Sequence, residues 1–144
     1  MVLLMLGPMN MNNEFKIELK KKNMPSINAL ISCIYNHKSN NWMVKLKSEL
    51  HEYEQTDIDC FRAFIGIRKK LESSGFIACC YASSKYACQS GMSSSMSGGL
   101  KIYNLINGYP ATKGDLVNTF EAGKNMDPVT IMEQIAANKT LISE

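Results

Sequence analysis

The sequence predicts a single α/β domain, a mostly parallel four-stranded sheet flanked by helices. Three observations carry that expectation. Glu14-Phe15-Lys16-Ile17-Glu18-Leu19-Lys20 alternates polar and apolar residues with period two, as a strand buried on one face does. Phe76-Ile77-Ala78-Cys79-Cys80-Tyr81 is apolar without alternation, as a central strand covered on both faces is. Between them, Ile58, Phe61, Phe64, Ile65, Ile67 and Leu71 recur at helical spacing. A chain of 144 residues fits one domain with its own core.

In order, residues 1–12 read as an N-terminal tail, with Met9 and Met11 as alternative starts, and 13–144 as the domain. The first apolar run, Met1 to Leu6, is too short for a signal-peptide core and has no basic flank. The protein is therefore read as cytoplasmic. After the first strand, Pro25 suits the first turn of a helix, and Ile27, Leu30, Ile31 and Ile34 supply its apolar face. Trp42 to Lys47 alternates again as a second strand, whose end within Glu49 to Tyr53 is open.

Thr56 with Asp59 three residues on forms a capping-box pattern for the 58–71 helix, and Ser73-Ser74-Gly75 stops it. Gly66 inside that helix marks a close contact with the sheet. Phe76 to Tyr81 is the third strand, and Leu100 to Ile106 the fourth. A Ser/Gly segment, 90–99, connects them, with a short helix from Gly91 to Ser97. Asn107 to Pro110 is a turn, and Asp115 to Phe120 fits either a short helix or an edge strand. Asp127-Pro128 caps a last helix with Val129, Ile131, Met132, Ile135 and Ala136 on its apolar face.

Composition narrows function. The formal charge of +3 is too small to imply nucleic acid, although seven lysines against three glutamates in the first fifty residues, Lys20-Lys21-Lys22 among them, concentrate positive charge there. No apolar run could span a bilayer. Cys33, Cys60, Cys79, Cys80 and Cys88 form no Cys-x-x-Cys pair, and with only His37 and His51 beside them no metal set is indicated. The odd cysteine count points to a reducing compartment. No cofactor motif or catalytic triad is present, so the expectation is a protein without cofactor or metal.

Two candidate sites follow. Glu52, Tyr53, Glu54, Asp57 and Asp59 cluster around a helix start and form an acidic patch that would dock a basic protein partner. Alternatively, an open parallel sheet binds ligands beyond its strands' carboxyl ends. Ser83, Lys85, Ser90, Gly91, Ser93 and Gly99 would there hold a nucleotide-like ligand in a small enzyme or sensor.

Ser90-Gly91-Met92 with Met96, Gly98, Gly99, Leu100 and Tyr103 forms the first of three motifs. Asp115-Leu116-Val117 with Phe120 and Asp127-Pro128-Val129 with Gln134 are the others. Together they resemble a family of small bacterial proteins encoded beside secreted polymorphic toxins, including contact-dependent growth inhibition systems. Ser94 and Ser95 stand where those relatives carry charge. The resemblance implies an immunity protein that neutralises a cognate toxin by occluding its active or substrate-binding site. Its partner would be that toxin, not nucleic acid or membrane; self-association is left open.

Overall fold

The computed structural model describes residues 12–89, 97–108 and 110–143. Its centre is an antiparallel meander. Strands β1 (Asn12–Lys20), β2 (Ile27–Asn36), β3 (Asn41–Ser48) and β4 (Glu52–Asp57) follow one another, helix α1 (Cys60–Ser73) crosses back, and β5 (Ile77–Cys79) pairs with β1. The order across the sheet is β4-β3-β2-β1-β5, with every pairing antiparallel. A second, three-stranded antiparallel sheet joins β6 (Ala87–Cys88), β7 (Lys101–Asn104) and β8 (Leu116–Asn118). Helix α2 (Ile131–Ser143) closes the chain.

The expected parallel α/β sheet is therefore corrected: among the described residues there are two antiparallel sheets and two long helices. The largest single change is at 27–36. Residues Ile27, Ala29, Ile31 and Cys33 occupy alternate positions, and the last three are buried against the core. The helical stripe through Leu30 and Ile34 mixed the two faces of a strand. Three β-branched isoleucines in ten residues favour the extended backbone. Pro25 precedes the strand in a loop instead of opening a helix.

The third expected strand shrinks to β5 and sits at the sheet's edge, and the fourth belongs to the small sheet. Asp115 to Phe120 resolves into a short 3-10 turn followed by β8. The segment expected as a short helix, Gly91 to Ser97, lies outside the described residues except for Ser97.

One face of the large sheet carries Ile17, Leu19, Ala29, Ile31, Cys33, Trp42, Val44 and Leu46, all buried. Against it α1 lays Ala63, Phe64, Ile67 and Leu71, and Phe120 packs its ring between Phe15 (5.4 Å) and Phe64 (5.1 Å). The expected close approach at Gly66 is present, since a Cβ there would meet the Gln55 side chain of β4 at 2.8 Å. Among the described residues no helix is long and apolar enough to cross a membrane.

Candidate functional site

Because one face of the meander is spent on the core, strand alternation sends the other set of side chains outward. On β1 these are Glu14, Lys16 and Glu18; on β2 Asn28, Leu30, Ser32 and Ile34; on β3 Met43, Lys45 and Lys47; on β4 Glu52, Glu54 and Thr56. All are exposed except half-buried Ser32, Ile34 and Met43, and over β1 to β4 no described element covers this outer face.

Leu30 stands in its middle with 36% of its surface exposed. Lys47 lies opposite it on β3 and Lys16 opposite it on β1. Two shallow hollows flank it. One, of about 250 Å³, is bounded by Ser32, Lys45, Lys47, Glu52 and Glu54; the other, of about 390 Å³, by Lys16, Asn28 and Lys47. The two outward β4 carboxylates each face a lysine in the register, Glu52 opposite Lys47 and Glu54 opposite Lys45. The patch is thus an apolar centre ringed by both signs of charge.

The acidic residues expected around a helix start are spread differently. Glu52 and Glu54 point outward from an edge strand, whereas Tyr53 and Asp57 lie on its inner side. Tyr53 is half-buried, with Lys70 Nζ 5.5 Å from its ring centroid and the His51 ring 5.7 Å away. Asp59 is fully buried and is no part of the surface. It is the N-cap of α1 in place of the expected Thr56: its Oδ1 accepts the Arg62 N–H at 2.8 Å, and Arg62 Nε lies 3.7 Å from its other oxygen.

The ligand site of the alternative reading rested on a parallel sheet's carboxyl edge, which this fold lacks. Ser83 is fully buried, Lys85 is exposed, and Ser90, Gly91 and Ser93 lie outside the described residues. Gly99 serves packing. Its φ is +83°, and a Cβ would meet the Phe61 and Cys60 backbone nitrogens at 2.7 and 2.9 Å. The neighbouring Gly98 carbonyl accepts the Cys60 N–H at 2.7 Å, so this turn closes on the start of α1.

Three buried thiols, Cys60, Cys79 and Cys80, are poor nucleophiles here. Burial pushes Cys80 up to about 12 and raises Cys79, while a hydrogen bond with Cys33, then burial, raises Cys60. Among the described residues no three His, Cys, Asp or Glu side chains are grouped to hold a metal. Leu30 is missing from the expected sites because a helix over 27–34 would bury it; Lys45 and Lys47 lie on the expected second strand, where their sequence alone assigns them no role. The alternation Ile27, Ala29, Ile31, Cys33 was the signal that could have exposed Leu30.

The chain matches no family model, and no curated protein matches it significantly.

Proposed function

We propose that this is a protein-binding inhibitor, an immunity protein that docks a toxin domain on the outer sheet face around Leu30 and along β4. The single observation that carries the reading is the uncovered outer face, with one exposed leucine inside a ring of charged side chains. An apolar anchor surrounded by polar groups that exclude water is the pattern of a binding hot spot. The motif resemblance supplies the partner class. In this reading the protein acts in the cytoplasm by covering the toxin's active or substrate-binding face.

The mixed charges set orientation more than affinity. Four strands about 4.8 Å apart and averaging about eight residues project only about 500 Å², where each partner of a stable complex buries about 800 Å². The footprint therefore continues over the β4 edge, whose outer backbone groups can pair with an incoming strand. Charged residues at alternate positions keep such an edge soluble until the right partner arrives.

The test is growth protection in cells that express the toxin region encoded upstream. L30D and the double swap K47E/E52K alter surface groups and leave the inner face untouched. The swap keeps opposite charges across the strands while inverting their order. Both variants are expected to lose protection and to weaken binding by at least about tenfold. Full protection by both contradicts the assignment.

A further inference from the structure

The lysine run that the docking face does not use borders the largest of the hollows described here. Lys20 ends β1, and the chain turns at once: the Met24 N–H donates to the Lys21 carbonyl at 3.1 Å, and Asn23 takes a left-handed φ of 65°. The stem of Lys21 lies over Gly75, and its ammonium sits 5.4 Å from the Phe76 ring centroid. Opposite, Met126 and Pro128 form a second wall. That wall is pinned: Asp127 O accepts the Lys85 N–H at 2.8 Å, and Pro128 bridges to Ser84. Ile77 and Cys79 of β5 line the space between, a hollow of about 620 Å³.

This volume is in the range of small-molecule sites, which bury most of a ligand against apolar surface and fix it with a few polar groups. Here the polar groups are three cations. Two carboxylates stand near the walls: Glu18, opposite Cys79 in the strand register, and Asp127. Among the described residues neither makes an ion pair with any of the three lysines. Three lysines lining one hollow concentrate positive charge there, which favours an anion. Lysines alone would mark a solvated turn. The apolar lining between two fixed walls adds the second half of a ligand's description.

We propose that this hollow binds a small amphipathic anion, a carboxylate or phosphate head on an apolar single-chain body. The head meets Lys20 and Lys22, and the body lies on Ile77, Met126 and Pro128. The site adjoins the docking face, since Lys20 lies on the same side of β1 as Lys16 and Glu18, but its lining residues are not those around Leu30, and it does not depend on the toxin reading.

Dodecanoate below its micelle concentration is the probe, followed by calorimetry and by the Met126 methyl signal in NMR. Dodecyltrimethylammonium is the control with the same tail and opposite charge. The expected result is saturable one-to-one binding of dodecanoate that shifts the Met126 methyl and weakens with added salt. K20E/K22E, folded by circular dichroism, is expected to bind about tenfold more weakly or worse. M126E tests the other wall, independently of the lysine turn, and is expected to lose binding too. Absence of dodecanoate binding, equal binding of the cationic control, or indifference to both variants overturns the proposal. So does co-sedimentation with phosphatidylglycerol vesicles without binding of free dodecanoate, which assigns the lysines to a membrane surface.

Discussion

Arg68 is the largest fully buried side chain among the described residues, and it holds the C-terminal part of the chain to α1. Its Nη1 donates to the Ala82 carbonyl at 3.1 Å and to Gln134 Oε1 at 2.7 Å, and its Nη2 donates to the Val129 carbonyl at 3.2 Å. Glu72, one turn on in α1, lies 3.6 Å from Nη2. Burial lowers the Arg68 pKa and Glu72 opposes that, but a guanidinium stays protonated at any ordinary pH. Gln134 completes the knot by donating Nε2 to the Ala82 and Ser84 carbonyls. Removing the cation alone leaves these acceptors and the carboxylate facing a methyl group. R68M is therefore expected to cost about 3–5 kcal/mol, and R68M/E72Q less than R68M, because losing both charges is milder than stranding one. Urea midpoints of the two variants check this; a midpoint for R68M within error of wild type contradicts it.

At the scale of elements, the β3–β4 turn is closed by Ser48 and His51. The Ser48 N–H donates to the His51 carbonyl at 2.8 Å, and the His51 N–H donates to Ser48 Oγ at 3.0 Å. The imidazole meets the Phe76 ring edge-on at 4.8 Å, tying the turn to the start of β5. Burial holds its pKa below the ordinary 6.5. The unfolded chain thus takes up a proton that the folded chain resists. Stability is expected to fall as pH drops through about 6.5 and to be insensitive to this group well above it. Denaturant midpoints from pH 8 to pH 5.5 should show the decline, and H51Q should reduce it. An unchanged slope in H51Q removes His51 as the cause.

Strands β1 and β3 and helix α1 were legible because their apolar periods are unambiguous over seven or more residues. Strand β2 was not, since Leu30 and Ile34 on its outer face completed a false helical stripe. β5 read as a central strand because its outward Cys79 is buried at the sheet's margin beside the hollow that Met126 and Pro128 also line. In α2 the helix begins at Ile131, three residues after Pro128. Thr130 and Glu133 exchange hydrogen bonds at its start, and Met132 and Ile135, expected inside, are exposed. The candidate contacts Glu52 and Glu54 were named from charge clustering alone. Their position on a sheet edge, opposite lysines, follows from long-range register that local sequence does not encode.

At the scale of the molecule, one face of the large sheet is sealed by α1 and the core, and the other is open over β1 to β4, with Met126 and Pro128 beside it at the β5 margin. The C-terminal part is laced to the sealed side: the Tyr81 N–H donates to Glu121 O at 2.9 Å, Ala82 N–H to Thr119 O at 2.9 Å, and Thr119 Oγ1 to Gly99 O at 2.6 Å. That arrangement braces the sheet from behind and leaves β1 to β4 free to meet a partner without rearrangement. A preorganised surface loses little entropy on binding, which would suit the inhibitor proposed above. The most direct test is amide hydrogen exchange of the protein with and without the toxin domain proposed as its partner. The account predicts slowed exchange across residues 27–57, strongest in β4, with α1 unchanged. Slowing confined to residues 97–143, with β2 to β4 exchanging as in the free protein, contradicts it.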